Sequence, residues 1–243
     1  MQIKACYLDV PDRDFLEKII KAKSILTKCS LCPHNCGVNR YNTDVGICQA
    51  GPAIEVAHWQ VHKGEETPLA DQGGAGAIFF SHCNLQCVFC QNYQISQQKG
   101  IKSPLTSEEL SQIMLDLQDH KAQNIDLVSP GHYVPLIIEA LYFASKKGLN
   151  LPIVYNTNGY ESPQTLDILS GLIDIYLPDL KYNYEETALK YSKVLDYVYW
   201  AQKAIKLMYQ QVGDLLLDEQ GRAQRGLFVR HLVYRMQKKK VNK

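Results

Sequence analysis

Short apolar runs that return at intervals, each preceded by a stretch able to form a helix, constrain this chain more than any other feature. The runs cover residues 77–80, 125–128, 153–155, 173–177 and 227–233, and their length suits buried strands. Glycine punctuation at Gly73, Gly74 and Gly76 precedes the first. Between runs, Thr106 and Glu109 form a T-x-x-E capping box ahead of Leu110, Ile113, Met114 and Leu117 on one helical face. Further helices are expected over 134–147, 163–170 and 197–212, and an amphipathic one over 11–28 carries Phe15, Leu16, Ile19, Ile20 and Leu26 at helical spacing. Alternation of this kind predicts an α/β protein with a parallel sheet and right-handed crossovers, as a barrel or an open sheet. In both architectures ligands bind beyond the C-terminal ends of the strands.

With 243 residues, 46% hydrophobic and 21% charged, the composition is that of an ordinary globular domain, or one domain with an appendage. No stretch approaches the roughly 18 apolar residues of a membrane span. The start, MQIKACYLDVPDRD, reaches charges too soon for a signal peptide, so a cytoplasmic protein without a membrane partner is expected. A formal charge of +1 offers no electrostatic reason for a nucleic-acid partner. Lys238, Lys239, Lys240 and Lys243 read as a solvated basic tail.

Eight cysteines without an export signal point to metal ligands rather than disulfides. Cys6 stands alone and reads as a small apolar residue. The others form two groups, Cys29, Cys32, Cys36 and Cys48, then Cys83, Cys87 and Cys90.

The second group lies in S-H-C-N-L-Q-C-V-F-C-Q-N-Y, directly after the first predicted strand, with the spacing C-x3-C-x2-C. Three thiolates on so short a loop can each reach one iron of a cubane, leaving the fourth iron open to chemistry. A zinc site short of one ligand, or completed by His82, is the competing reading of the same residues.

This loop resembles the signature of the radical S-adenosylmethionine enzymes, C-x3-C-x-aromatic-C at the end of the first barrel strand, with Phe89 at the aromatic position. The resemblance implies that Cys83, Cys87 and Cys90 hold a [4Fe–4S] cluster whose open iron chelates S-adenosylmethionine. Reductive cleavage would then yield methionine and a 5′-deoxyadenosyl radical that abstracts hydrogen from a substrate. It also implies an electron donor such as flavodoxin or ferredoxin.

Polar residues follow the later runs: Asn156, Thr157, Asn158 and Gly159, then Pro178, Asp179 and Lys181, then Arg230 and His231. They resemble the pyruvate formate-lyase activating enzyme branch, where D-T-N-G and D-L-K segments contact S-adenosylmethionine and a nearby monovalent cation. Asp179 and Lys181 match, while Asn156 replaces the acidic residue. Where that branch carries G-G-E-P for the amino group, this chain has Ser129-Pro-Gly131-His132-Tyr133-Val-Pro135, in which His132 or Tyr133 could face substrate. Read alone, the Asn156 segment is an Asn-Gly turn and Asp179 with Lys181 a surface pair. The resemblance, strongest for an activating-enzyme-like subgroup, runs from about Cys29 to Val233. It implies a cofactor set of Phe89, Asn92, Asn156, Asp179, Lys181 and Arg230, with no catalytic residue assigned and a glycyl radical protein as one partner.

The first group, C-x2-C-x3-C-x11-C, lies in a turn-rich region with few apolar residues, where a structural metal can replace a core. Zinc and an Fe–S cluster both suit four thiolates, and His34 could stand in for one. Reduced cysteines packed as small apolar groups are the alternative.

The expected organisation is an N-terminal helix with a Cys-rich segment over 1–72, a partial (β/α) radical S-adenosylmethionine barrel over 73–235, and a basic tail over 236–243. The activating enzymes generally have six strands, whereas five are read here, so the resemblance implies a C-terminally shortened barrel with its fifth strand unpaired at the edge. A non-catalytic Fe–S, metal-binding or electron-transfer module derived by truncation is the alternative function. The substrate is not readable from the residues.

Overall fold

The computed structural model describes residues 3–42, 44–71, 73–98 and 104–232. The N-terminal helix α1, Asp12–Ile25, buries Phe15, Ile19, Ala22 and Ile25. Of the predicted stripe Phe15, Ile19 and Leu26 are buried, whereas Leu16 and Ile20 point to solvent, because the buried face follows the i, i+4, i+7 positions from Phe15. A single turn of 3-10 helix, Leu26–Lys28, carries it into the cysteine-rich loop. Strand β1, Val56–His62, and the short helix α2, Thr67–Ala70, then lead to β2, Ala75–Phe80. After the cysteine loop and the short α3, Tyr93–Ser96, comes α4, Ser107–Asp119, whose capping box forms as predicted. The Thr106 hydroxyl accepts from the Glu109 amide at 3.1 Å and the Glu109 carboxylate accepts from the Thr106 amide at 2.7 Å. Such a cap satisfies two otherwise orphaned donors and contributes about 1 kcal/mol.

Strands β3, Ile125–Val128, β4, Ile153–Thr157, and β5, Ile175–Leu180, alternate with α5, Val134–Lys146, and α6, Pro163–Leu169. Helices α7, Glu185–Ser192, and α8, Tyr197–Val212, precede β6, Leu216–Leu217, β7, Ala223–Leu227, and β8, Arg230–His231. The strand order is β1-β2-β3-β4-β5-β7-β6, with β8 also pairing with β5. Pairings from β2 through β5 to β7 are parallel, and β1 adds to β2 antiparallel. Among the described residues no pairing joins β1 to β6, so the sheet is open.

Neighbouring strands are consecutive along this parallel stretch, so crossovers of one hand lay their helices on one face. Accordingly α4 packs on α5, α5 on α1, α1 on α6 and α6 on α8. Alternation along each strand divides the residues between faces. Ile125, Leu127, Ile153, Tyr155 and Tyr176 join the large core under the helices, while Val154, Ile175 and Leu177 form a smaller cluster with Leu69 on the opposite face. Asp126, Asn156 and Asp179 alternate with the helix-facing residues and share that second face.

Two expectations change. The fifth run, read as a strand over 227–233, is divided into β7 and β8, because Gln224 and Arg225 hide the start of β7 from an apolar count. Its outer edge is also not unpaired: β6 pairs antiparallel with β7 through Leu216 and Arg225. Val233 and the basic residues Lys238, Lys239, Lys240 and Lys243 lie outside the described residues.

Candidate functional site

The three-cysteine loop leaves the C-terminal end of β2, and His82, at φ 71°, turns the chain there. Its ring nitrogen meets Glu55 at 3.2 Å, so the side chain answers to a carboxylate. Asn84 braces the loop. Its amide donates to the Tyr160 carbonyl at 2.9 Å, its side-chain oxygen accepts from Asn158 at 2.7 Å, and its own carbonyl meets His34 Nε2 at 2.7 Å.

Each thiol has a polar neighbour. Cys83 Sγ receives the Leu85 amide and Asn158 Nδ2, both at 3.4 Å. Cys87 Sγ lies 2.8 Å from the Ser192 hydroxyl, which is itself 2.5 Å from the Tyr182 hydroxyl. Cys90 Sγ lies 3.2 Å from Ser96 Oγ. Burial pushes the Cys83 thiol up to about 12. Burial also raises Cys87, opposed by the Ser192 hydroxyl and the Lys181 ammonium. Burial thus favours the protonated form at Cys83 and Cys87, and a cluster displaces those protons on binding.

Among the described residues no three His, Cys, Asp or Glu side chains converge on one ion position. A cubane does not demand that, because each thiolate binds a different iron. The donor set fits such a cluster: three soft thiols on one loop, each beside a hydrogen-bonding group.

At the ends of the later strands a second network gathers. Arg230 Nη2 donates to Asn156 Oδ1 at 2.6 Å, Nε to Asp179 Oδ1 at 2.9 Å, and Nη1 to Glu65 Oε1 at 3.2 Å. Lys181 pairs with the other oxygen of Asp179. Asn156 Nδ2 in turn reaches Asp126 Oδ2 at 3.3 Å. Burial raises both the Glu65 and the Asp126 carboxyl; the Asp126 charge adds to the rise at Glu65, and a hydrogen bond from Glu65 opposes it at Asp126. The Tyr197 hydroxyl of α8 lies 2.8 Å from the carbonyls of Asn158 and Asp179 and accepts from the Lys181 amide at 3.1 Å, joining the ends of β4 and β5. Gly159, at φ 83°, lets this happen: a Cβ there would lie 2.6 Å from the Asp179 carbonyl oxygen.

Asn156, Asp179, Lys181 and Arg230 thus come together as one network, and Lys181 bears on Cys87. Phe89 packs against Tyr182, with ring centroids 6.3 Å apart, inside the apolar cluster around the thiols. Asn92 is not brought in: it is exposed at the start of α3, and its side chain does not cap that helix. Neither His132 nor Tyr133 joins the three-thiol loop's surroundings; His132 instead borders a cavity lined by Cys29, Cys32, Cys36 and Cys48. His132 is 5% exposed and donates from Nε2 to the Ser81 carbonyl at 2.8 Å, and burial drives its imidazole down to about 3, so it is neutral. Tyr133 is fully buried against Phe80. Glu65, Asp126, Asn84, Ser192 and Tyr197 were not foreseen. Asp126 alone carried a signal, a carboxylate inside a run read as buried strand.

Residues 70–171 match a family model described as a 4Fe-4S single cluster domain. An uncharacterized protein of Methanocaldococcus jannaschii is 34% identical over 186 residues, which are 74% of this chain and 53% of the relative. The chain thus spans about half the length of that relative. Among solved structures, Streptococcus suis SuiB bound to precursor peptide SuiA shows a TM-score of 0.36 at 16% identity, over 53% of this chain and 28% of that one. At that score the likeness bears on nothing further. The matched stretch contains Cys83, Cys87 and Cys90, which supports an iron–sulfur protein.

Proposed function

We propose that the chain is a radical S-adenosylmethionine enzyme, in which Cys83, Cys87 and Cys90 hold a [4Fe–4S] cluster and the strand-end network receives S-adenosylmethionine. The carrying observation is the set of three thiols at the end of β2 with Asn158, from the end of β4, donating to Cys83. When bound, the cluster supplies the electron for reductive cleavage of S-adenosylmethionine, chemistry that belongs to the cofactor. An external donor of the flavodoxin or ferredoxin kind supplies that electron in turn.

The chain's own residues position and insulate. Leu85 and Asn158 hold the Cys83 sulfur, and Ser192 and Lys181 attend Cys87. Tyr160, Tyr182 and Tyr197 wall the thiols with apolar surface that keeps water out. Arg230 holds Asn156 and Asp179 in fixed orientation. In this reading the guanidinium takes over the role that the activating-enzyme resemblance gives to a monovalent cation, with the Asn156 side-chain oxygen as one of its acceptors. The open sheet is read as the wall of a partial barrel, and a glycyl radical protein as the substrate class suggested by the same resemblance.

Anaerobic protein reconstituted with iron and sulfide, then given dithionite and S-adenosylmethionine, is expected to release 5′-deoxyadenosine. A C83S/C87S/C90S variant should release none. Cluster absorbance in the wild type without any 5′-deoxyadenosine would favour a non-catalytic iron–sulfur module instead.

A further inference from the structure

Cys29, Cys32, Cys36 and Cys48 line one cavity, together with the Arg40 guanidinium and His132. Local backbone chemistry shapes it. Asn35 and Gly37 turn the chain at φ 44° and 66°, and the Cys29 amide and carbonyl are taken up by Val38 and Gly37. The Ile47 amide points at Cys36 Sγ at 3.5 Å, and a Cβ on Gly46 would lie 2.8 Å from that sulfur, so the backbone closes tightly on it.

Arg40 is the second, independent observation. It is 1% exposed. Its Nη1 and Nη2 donate to the carbonyls of His132 and Gly51, both neutral acceptors, and its Nε is buried without a partner. Among the described residues no carboxylate pairs with it. A buried guanidinium in a neutral setting is unfavourable, and an anion in the cavity relieves it. Four thiolates around a metal centre carry net negative charge and sit where that anion belongs.

We propose that Cys29, Cys32, Cys36 and Cys48 hold a second iron–sulfur cluster, with Arg40 as its buried counter-charge. The neighbouring loop is the argument for a cluster: Cys83, Cys87 and Cys90 lie in the stretch matching a 4Fe-4S domain. His34, between Cys32 and Cys36, reaches the Asn84 carbonyl at 2.7 Å, so the two cysteine loops adjoin. His34 is thereby turned to the neighbouring loop rather than into the cavity's thiol set.

The test is a count of iron, acid-labile sulfide and zinc in anaerobically reconstituted full-length protein and its C83S/C87S/C90S variant. The folded variant, judged by circular dichroism, should keep iron, sulfide and a thiolate-to-iron absorbance, and adding R40Q should lower the reduction potential of the retained cluster. Zinc in place of iron, or no metal in the folded variant, overturns the proposal. If the variant does not fold, the wild type is compared with a folded C29S/C32S variant: about eight irons in the wild type, two cubanes, support the proposal, and about four that the C29S/C32S variant keeps overturn it. These counts do not depend on S-adenosylmethionine cleavage, so failure of either reading is seen separately.

Discussion

The Arg230 guanidinium donates to Asn156 Oδ1 at 2.6 Å, linking β8 to the end of β4. The same group reaches Asp179 at the end of β5 and Glu65 ahead of α2. A planar guanidinium with several fixed donors suits this fan of acceptors, which a lysine ammonium cannot reproduce.

If that cation serves the cofactor site in place of a metal ion, 5′-deoxyadenosine formation should be equal in sodium, potassium and tetramethylammonium salts. A several-fold rise in one alkali salt would sink this reading of Arg230.

Replacing Arg230 by Met should lower stability by about 2 kcal/mol, since charge-assisted hydrogen bonds are lost and partly buried carboxylates are left short of a cation. R230K should recover part of it. Urea unfolding of the three proteins is the measurement, and a loss under 0.5 kcal/mol for R230M would place the network outside the fold's stability.

Gly159 and Gly148 both have positive φ, 83° and 98°, but only at Gly159 would a Cβ meet backbone, while at Gly148 nothing lies within 4 Å. G148A is expected to cost about 1 kcal/mol from conformation alone, and G159A about 2 kcal/mol more through the close approach to Asp179. Equal losses in thermal or urea unfolding would show that the close approach does not matter.

Glu161, 2% exposed, accepts from the Thr157 hydroxyl at 2.5 Å, and burial raises its carboxyl from 4.5 to about 7. The folded chain therefore binds a proton that the unfolded chain releases above pH 4.5, so stability falls as pH rises from about 4.5 to about 7. The loss is on the order of 3 kcal/mol. E161Q should flatten that slope, read from urea midpoints across the pH range; an unchanged slope would assign it to other groups.

Long helices and the central strands were legible because their signals are local. Thr106 with Glu109 marks α4, and Tyr197 to Val212 keeps helical spacing throughout. β1 was not read, because His58, Trp59 and Gln60 are exposed at a sheet edge and a bulge near Val56 breaks its alternation. α7 is short and ends at Lys193 in a left-handed conformation that no glycine announces. At the site, the thiols and the residues after each run follow from spacing and strand ends. Glu65, Ser192 and Tyr197 reach it only through tertiary packing, from segments distant along the chain, and nothing in their neighbours signals that.

The Asn84 brace has a consequence for how the protein is made. His34, Tyr160 and Asn158 hold the thiol loop through amide, carbonyl and ring groups that are all present before any iron arrives. None of these bonds calls on a metal, whereas small zinc modules take their shape from one. The expected consequence is an apoprotein that resists protease nearly as well as protein loaded at this loop.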